Sequence, residues 1–254
     1  MNILVCVKRV PATGGRIVLT ADARAIETRH LGFTISPHEE CAVEEAVRLV
    51  AAHGGAVTVL TLGPDAAADQ LRDAMAMGAD NAILLASGDH EWDPEAVAAA
   101  IVACVQQQRA QGIQYDLLMF GNEASDTGDY QVGIRVAHAL DLPVVAGIKA
   151  LAIAAGFATA KREVPGGWEI FTVALPAVLT VKEGINLPRY PSLPGRLKAK
   201  KKPIQRIEPD YRAGGLEYVR LRLPPEQEHA VEILGRGPSA APRVVELFEK
   251  LGLI

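Results

Sequence analysis

The stretch GNEASDTGDYQVG, residues 121–133, has the residue types and spacing that best suit ligand binding in this chain. It begins where the apolar run YDLLMFG (115–121) ends, and it leads into the helical pattern DYQVGIRVAHAL (129–140). In open α/β sheets, ligands lie beyond the carboxyl ends of strands, and the free N–H groups of a helix N-terminus hold phosphate. Gly128 and its small neighbours allow close backbone approach. The pattern favours a phosphate site, and an ordinary strand-to-helix loop is the alternative.

Other groups of residues that could do chemistry are less well placed. The chain has no GxGxxG or Walker A motif, and Ser125 and Ser192 lack the GxSxG context of a nucleophile. Four acidic residues share a predicted amphipathic helix and should mostly face solvent, namely Glu39, Glu40, Glu44 and Glu45. No metal-ligand spacing relates the six histidines, His30, His38, His53, His90, His138 and His229. We therefore expect a binding or carrier domain without catalytic or metal-ligating residues of its own.

Composition argues against several classes of function. The chain has 254 residues and a net charge of −4, and its basic run at 196–206 is local, so general nucleic-acid binding is not expected. No apolar run is long enough to span a membrane and no secretory signal is evident, so a cytoplasmic protein without direct membrane insertion is predicted. Cys6, Cys41 and Cys104 are far apart and odd in number, which suits a reducing compartment and small core residues.

Short apolar runs alternate with helical patterns along the first part of the chain. The runs are continuously apolar, which indicates strands covered on both faces of a parallel sheet, at 2–7, 56–62, 81–86 and 115–121. Helical patterns lie at 39–53, 65–78, 93–112 and 129–140. Strand–helix alternation with short connections predicts an α/β fold with a doubly wound, mostly parallel sheet.

The first helix has the clearest start signal. Ser36 is its predicted N-cap, Pro37 its first residue and Glu39 its capping-box partner. Its inward-facing stripe is predicted to consist of Ala42, Val43, Ala46, Val47 and Val50.

The pattern predicts a nucleotide-binding α/β domain over residues 1–185 and an extended arm over 186–254. A β-hairpin extension is expected near 156–175, with its turn at Pro165-Gly166-Gly167. The segment NLPRYPSLPGRLKAKKKPI (186–204) contains too many prolines for a helix or a central strand, and the arm as a whole needs something to pack on. A final helix, APRVVELFEKLGLI, closes the chain.

Seven motifs in order resemble the beta subunit of electron-transfer flavoprotein. They are ILVCVKRVP, SPHEECAVEEAVRL, TLGP, LRDAMAMGAD, the D-x-x-x-x-Q-V-G loop at 126–133, LPAVLTVKEGINLPRYPSLPG and KAKKKPI. The resemblance covers nearly everything from Met1 to Ile204, and the last 50 or so residues match only in general character. It implies an adenine-nucleotide alpha hydrolase-like version of the doubly wound fold.

The resemblance also implies a role in electron transport rather than catalysis. Members of this family pair with an alpha subunit, which holds most of the FAD in a cleft closed partly by beta. The ordinary beta subunit holds a structural AMP. Electrons pass from flavin dehydrogenases to a membrane quinone oxidoreductase.

The resemblance places AMP against three segments of this chain. They are Cys6-Val7-Lys8 after the first strand, Leu62-Gly63 after the second, and the loop 121–133. Backbone groups of Gln131, Val132 and Gly133 are expected at the phosphate. Asp126 is expected to hold the loop or to reach the ribose, because a carboxylate close to a phosphate would repel it.

The resemblance answers why an acidic protein carries a basic, proline-rich loop. The family docks its dehydrogenase through this segment, and Leu193 matches the anchoring leucine. Pro191 and Pro194 would stiffen the loop and lower the ordering cost of docking, and Lys198 with the following lysines would steer an acidic partner. Glu163 matches an acidic residue that assists the mobile flavin domain. The alternatives are a solvated lysine tail and an exposed hairpin charge.

Two other functions stay open at this point. The chain reads Tyr130-Gln131-Val132-Gly133 where ordinary members have Asn-Gln-Thr-Gly, and bifurcating members with a second FAD at this place share the Gln-Val-Gly. The bulk of Tyr130 favours AMP over a second flavin. A stand-alone nucleotide-binding module is the other alternative, although such a module needs no 186–204 loop.

Overall fold

The computed structural model describes residues 1–12, 14, 17–88, 90, 92–225 and 232–254. The chain forms two compact units, Met1–Val219 and Arg220–Ile254. His229 lies outside the described residues.

The larger unit is built on a nine-stranded sheet. Its strands are β1 (Asn2–Cys6), β4 (Ala56–Gly63), β5 (Asn81–Ala86), β6 (Leu117–Gly121), β7 (Val144–Ala154), β8 (Phe157–Val164), β9 (Gly167–Ala174), β10 (Ala177–Val181) and β11 (Gln205–Ile207), and β2 (Val10–Pro11) pairs separately with β3 (Phe33–Thr34). The order is β11-β5-β4-β1-β6-β10-β7-β8-β9, parallel from β11 to β7. The predicted α/β fold with a mostly parallel sheet is confirmed.

Both faces of the parallel sheet are covered, which explains why its strands are continuously apolar. Ile3 and Val5 point to one face, where α1 and α2 pack, and Leu4 and Cys6 point to the other, where α3 and α4 pack. The helices are α1 (Pro37–His53), α2 (Ala68–Met77), α3 (Pro94–Ala110), α4 (Val132–Ala139), α5 (Leu193–Lys201) and α6 (Ala241–Lys250), with 3-10 turns at Asp65–Ala67 and Gly237–Ala240. The three cysteines are free and buried, as predicted.

Helix α1 starts as predicted, but its acidic residues are not all at the surface. Ser36 is the N-cap, Pro37 opens the helix, and the Glu39 carboxylate accepts a hydrogen bond from the Ser36 N–H. The expectation that most of the four glutamates face solvent is wrong for Glu39 and Glu44, which are buried. Each of these carboxylates meets donors from a distant segment, which the helical pattern alone does not reveal.

The predicted β-hairpin is present as β8 and β9. Gly166, in the turn, has φ +87°, a conformation that favours glycine. Strand β8 pairs antiparallel with β7 and β9, so these strands extend the parallel sheet at one edge. Trp168 and Ile170 on β9 are more than half exposed.

The expectation that residues 186–204 contain no helix is wrong. Helix α5 begins at Leu193, and the Ser192 side chain caps it by accepting a hydrogen bond from the Gly195 N–H. Pro194 lies in the first turn, where its missing N–H is not needed. Arg72 of α2 donates hydrogen bonds to the carbonyls of Ala199 and Lys200, which end the helix. Helix α5 therefore packs on α2, and β11 then joins the sheet beside β5.

The smaller unit contains α6, whose apolar side chains are uncovered within it. No residue of α6 is buried, and Leu247, Phe248 and Leu251 are between 37 % and 61 % exposed. Among the described residues, no helix combines the length and apolarity that crossing a membrane requires.

Candidate functional site

Successive strands of the sheet are added on one side of β1 up to β5 and on its other side from β6 to β10, so the strand order reverses between β1 and β6. Strands β4 and β5 extend the sheet on one side of β1, and β6 and β10 extend it on the other. The loops that leave β1 and β6 therefore diverge at their carboxyl ends and leave a crevice, which is the usual ligand position in a doubly wound sheet.

Lys8 and Asp126 meet across this crevice. Lys8 follows β1, and its ammonium lies 2.8 Å from Asp126 Oδ1 and 3.4 Å from Thr127 Oγ1. The same carboxylate oxygen accepts the Thr127 N–H at 2.8 Å, which fixes the loop locally. Within the described chain, Asp126 Oδ2 has no hydrogen bond, so it is available to a ligand hydroxyl. The structure thus brings together two of the predicted site residues.

The N-terminus of α4 supplies backbone donors at the end of the same loop. Gln131 is the N-cap, and the first backbone hydrogen bond of the helix runs from the Arg135 N–H to the Gln131 carbonyl. The N–H groups of Val132, Gly133 and Ile134 therefore have no partner within the helix. The Gln131 side chain bonds to Arg135 at 2.9 Å, so it is turned along the helix rather than capping it.

Gly133 also has a packing role. A Cβ at this position would lie 3.0 Å from Thr180 Cγ2 and 3.1 Å from the Phe120 ring. The absence of a side chain lets α4 approach β6 and β10 closely. Gly133 is therefore needed for the position of the helix whatever its backbone binds.

The other predicted nucleotide contacts lie at neighbouring strand ends. Cys6 ends β1 with its thiol in the core, and burial raises its pKa well above the ordinary value, so only its backbone could face a ligand. Val7 is buried, and its N–H donates to the Leu60 carbonyl at 2.9 Å. Leu62 and Gly63 end β4, next to β1, and Gly63 packs closely on Ala67.

Glu39 belongs to the site, although the sequence predicted it as a capping-box partner and as one of four mostly solvent-facing glutamates. Its Oε2 accepts hydrogen bonds from the Lys8 N–H at 2.9 Å and the Ser36 N–H at 3.3 Å. A Cβ at Gly121 would lie 2.6 Å from Glu39 Cγ, so the glycine makes room for this side chain. Burial raises the pKa of Glu39 to about 8, although the two N–H donors and the Lys8 charge oppose the rise. Gly121 at the strand end was a signal for such a close approach.

A second carboxylate, Glu123, connects the loop to α1. His38 Nε2 lies 3.2 Å from Glu123 Oε1, and the Glu183 N–H donates to His38 Nδ1 at 2.8 Å. Glu123 also hydrogen-bonds the Tyr130 hydroxyl, which raises the pKa of that phenol. Tyr130 itself has φ +57°, an unusual conformation for a large residue, and it is 53 % exposed. The loop is therefore held in one conformation at several points.

Residues 214–218 form one wall of the site that the sequence did not predict. The Leu216 N–H donates to Asp93 Oδ2 at 2.9 Å, and the Gly215 N–H donates to Glu95 Oε2 at 3.2 Å. Asp93 is also the N-cap of α3, accepting the Ala96 N–H at 2.7 Å. Beyond this anchor, Tyr218 hydrogen-bonds Thr127 in the site loop.

Known proteins of similar sequence identify the family of this chain. The profile of the electron transfer flavoprotein domain matches residues 24–211, most of the chain. The chain belongs to the electron transfer flavoprotein family. It is 35 % identical over 255 residues to electron transfer flavoprotein subunit beta of Bacillus subtilis, covering 98 % of this chain and 97 % of the relative.

Similar proteins occur in a plant and in another bacterium. The mitochondrial electron transfer flavoprotein subunit beta of Oryza sativa subsp. indica is 36 % identical over 240 residues, 91 % of this chain and 92 % of its own. The caffeyl-CoA reductase-Etf complex subunit CarD of Acetobacterium woodii is 32 % identical over 209 residues, 80 % and 77 % of the two chains. The resemblance to electron-transfer flavoprotein beta subunits read from the motifs is therefore confirmed.

Four of the predicted docking residues of this family member lie in α5 or directly before it. Leu193 is the first residue of α5 and is 72 % exposed. Pro191 precedes the helix and is partly covered, while Pro194 and Lys198 are exposed. A pocket of about 360 Å³ adjoins this segment, and Tyr190, Pro191 and Arg196 line one side of it.

Glu163 lies near the end of β8, on the hairpin extension. Its carboxylate is 2.6 Å from the Lys149 ammonium, and this hydrogen bond lowers the pKa of Glu163. The side chain is 54 % exposed. The hairpin therefore presents a paired rather than an isolated charge.

Proposed function

We propose that this chain is the beta subunit of a heterodimeric electron-transfer flavoprotein in the cytoplasm. It accepts electrons from flavin dehydrogenases and passes them to a membrane quinone oxidoreductase, and it binds AMP as a structural ligand. The FAD is held mostly by the alpha subunit and supplies the redox chemistry of the complex. Family membership supports the electron-transfer role.

The observation that carries the nucleotide assignment is the Lys8–Asp126 pair beside the N-terminus of α4. A nucleoside monophosphate needs donors for its phosphate and an acceptor for its ribose hydroxyls. The N–H groups of Val132 and Gly133 supply donors with the favourable end of the helix dipole. Asp126 supplies an acceptor, and Lys8 neutralises its charge, which limits repulsion of the phosphate.

The docking role is supported by the exposure and rigid placement of Leu193. The Ser192 cap fixes the backbone at the helix start, so binding at Leu193, which is 72 % exposed, has little backbone entropy to lose. Three exposed lysines, Lys198, Lys200 and Lys201, lie in the last turn of the same helix and give it positive charge suited to an acidic partner. Lys202 does not belong to this set, because its ammonium bonds to the Ala79 carbonyl at 2.7 Å.

The alpha subunit is the proposed cover for α6. Leu247 and Phe248 of this helix and Leu251, which follows its last residue, are exposed, and a free amphipathic helix of ten residues is marginal in water. Burial of these apolar side chains in a subunit interface would stabilise the helix.

Glu163 on the hairpin is proposed to assist the mobile flavin domain. Reversal of its charge should change the electron-transfer rate but not the nucleotide content.

A bifurcating beta subunit with a second FAD is the alternative, and one relative is a subunit of a caffeyl-CoA reductase-Etf complex. The Gln131-Val132-Gly133 sequence, which bifurcating members share, favours it. Tyr130 opposes it, because this bulky residue is bonded to Glu123 at the mouth of the site. Tyr218 adds a second aromatic ring beside the same loop.

Nucleotide content tests the proposal. The chain would be co-expressed with its alpha subunit, the purified complex denatured, and the released FAD and AMP quantified by chromatography. Equimolar FAD and AMP per heterodimer are expected. Two FAD without AMP would establish the bifurcating alternative, and a complex without either nucleotide would contradict both.

A further inference from the structure

Glu39 lies where three segments of the nucleotide crevice meet. Its carboxylate accepts the Lys8 N–H from the end of β1 and the Ser36 N–H from the start of α1. Its Cγ occupies the space in front of Gly121 at the end of β6. The side chain is buried, so it contacts the walls of the crevice from behind rather than from solvent.

Lys8 connects Glu39 to the ligand side of the crevice. Its backbone N–H bonds to Glu39 at 2.9 Å, while its ammonium bonds to Asp126 at 2.8 Å. The Lys8 ammonium is thus bonded to Asp126 and not to Glu39, and it acts on the Glu39 carboxylate only through its charge, in a group of two carboxylates and one ammonium. The group carries a net charge of −1 when Glu39 is ionised and is neutral when Glu39 is protonated. An anionic nucleotide entering the same crevice should favour the neutral arrangement.

The groups that face Glu39 do not hold it in the ionised form. Burial is the largest influence on its pKa and raises it to about 8, with a further upward contribution from Asp126. The Lys8 ammonium and the two N–H donors act in the opposite direction. Behind Glu39, the Cys6 thiol is neutral because burial raises its pKa well above the ordinary value.

The remaining charged neighbours belong to α1 and to the loop after β6. His38 precedes Glu39 in α1 and is paired with Glu123 of that loop. Glu40 follows it and faces Asp73 and Glu183 instead, on the other side of the helix. Glu40 is therefore a matched neighbour that does not contact Lys8.

We infer that Glu39 is a positioning residue whose protonation is linked to nucleotide binding, so that the crevice takes its anionic nucleotide together with one proton on Glu39. This inference rests on the proposed AMP site. The carboxylate gains the proton from solvent, the O–H bond formed is the only covalent change, and the neutral carboxyl keeps an oxygen to accept the Lys8 N–H. Lys8 then has only Asp126 and the nucleotide to neutralise.

Calorimetric titration of the heterodimer with AMP tests the inference. The complex, freed of nucleotide, would be titrated between about pH 7 and pH 9 in pairs of buffers with different ionisation enthalpies. The AMP phosphate titrates near pH 6 and an ordinary lysine above pH 10, so neither contributes in this window. Proton uptake approaching one per AMP is expected near pH 9. Affinity should fall with rising pH, by up to about tenfold per unit above pH 8.

Two variants assign the proton. Glu39→Gln should bind AMP with no proton uptake and with an affinity that is flat across the window, because the amide imitates the neutral carboxyl. Glu40→Gln should retain the wild-type pH profile. Uptake that persists in Glu39→Gln would assign the proton elsewhere and overturn the inference.

The wild-type titration is decisive even if Glu39→Gln does not assemble. AMP binding without proton uptake and with constant affinity from about pH 7 to pH 9 would overturn the inference while leaving the proposed AMP site intact. No AMP binding at any pH would overturn both.

Discussion

Arg189 and Glu44 form a two-point ion pair between the segment that precedes α5 and helix α1. Arg189 Nε lies 2.7 Å from Glu44 Oε2, Nη2 lies 3.1 Å from Oε1, and the Arg189 N–H also donates to Oε2. The Glu44 side chain is only 3 % exposed. Burial alone would raise the pKa of Glu44, but hydrogen bonds from Arg189 and Arg48 outweigh it and lower the pKa. The chain leading to Leu193 is thus fixed to the core of the protein.

Replacement of Arg189 by lysine should loosen this segment. Lysine keeps the charge but cannot reproduce the two parallel hydrogen bonds, which leaves a buried carboxylate less fully hydrogen-bonded, so a loss on the order of 1–3 kcal/mol is expected. Thermal unfolding of the complex and amide exchange of residues 186–192 would measure it. Arg48→Lys is the control, because Arg48 is half-exposed and bonds to the same carboxylate from an i,i+4 position. This substitution should lower the stability by about 0.5 kcal/mol or less. Equal losses of stability in the two variants would contradict the assignment of Arg189 as the main partner of Glu44.

The same pair predicts how the complex responds to acid. The folded-state pKa of Glu44 is below its ordinary value of 4.5, so its contribution is present above that value. It is lost as pH falls through the folded-state pKa. The stability difference between wild type and Arg189→Lys should therefore shrink below about pH 4. Unfolding midpoints measured from about pH 3 to pH 7 would show this, and a difference that stays constant would contradict it.

Leu193→Ala should weaken docking without affecting the fold. Loss of a leucine that is buried only in the complex removes about 1.5–3 kcal/mol, which corresponds to a roughly ten- to hundredfold rise in KM for the electron donor. Nucleotide content and unfolding temperature should not change, because the side chain is exposed. Leu197→Ala, one turn further along α5, is the control and should have a smaller effect. An unchanged KM in Leu193→Ala would refute the docking role.

Asp126→Asn should lower AMP retention more than Asp129→Asn does. Both changes remove one negative charge from the same loop, but only Asp126 is bonded to Lys8. The half-exposed ion pair contributes about 1 kcal/mol or less to folding, so the unfolding temperature should change little. Chromatographic AMP content of the two variants is the measurement. Identical AMP content would show that the Lys8–Asp126 pair does not hold the ligand.

Gly133→Ala should destabilise the fold as well as the nucleotide site. The new methyl group would meet Phe120 and Thr180 at 3.0–3.1 Å, and overpacking of this kind costs about 1–3 kcal/mol. A lower unfolding temperature is expected even for the complex stripped of nucleotide. An unaltered unfolding temperature together with lost AMP would instead assign Gly133 to ligand contact alone.

Glu39 should make the complex less stable as pH rises. Its folded-state pKa of about 8 lies above the ordinary 4.5, so the folded chain keeps a proton that the unfolded chain has released in between. Stability therefore falls from about pH 4.5 to pH 8 and levels off above. Glu39→Gln removes this pH dependence. Relative to wild type, its free energy of unfolding at high pH should be larger by a few kcal/mol, on the order of 1.4 kcal/mol per unit of the pKa shift. Unfolding midpoints near pH 5 and pH 9 would measure it, with exposed Glu163→Gln as the control.

The sequence predicted those parts of the fold that depend on local pattern. Continuous apolar runs marked β1, β4, β5 and β6, and the Ser36-Pro37 signal marked the start of α1. Helix α5 was missed because the four prolines of residues 186–204 suggested a broken chain, although Pro194 lies where a helix tolerates it.

Only part of the site could be predicted from the sequence, for a related reason. The loop after β6 was found because it follows a strand and enters a helix. Glu39 was not, because its role depends on Lys8 and Gly121, which are distant in sequence and meet it only in the folded chain. Tyr218 was likewise missed, since its hydrogen-bond partner Thr127 is distant from it in sequence. Contacts between remote segments leave no local pattern to read.

The pairing of β11 with β5 sets an order for synthesis on the ribosome. Gln205 of β11 meets Ile83 of β5, a strand that leaves the ribosome much earlier. Helix α5 and the last sheet edge can therefore form only when most of the chain has been translated. A nascent chain shorter than this would lack α5 and β11, and with them the surface proposed for docking, so under this proposal a nearly complete polypeptide is needed before an electron donor can bind.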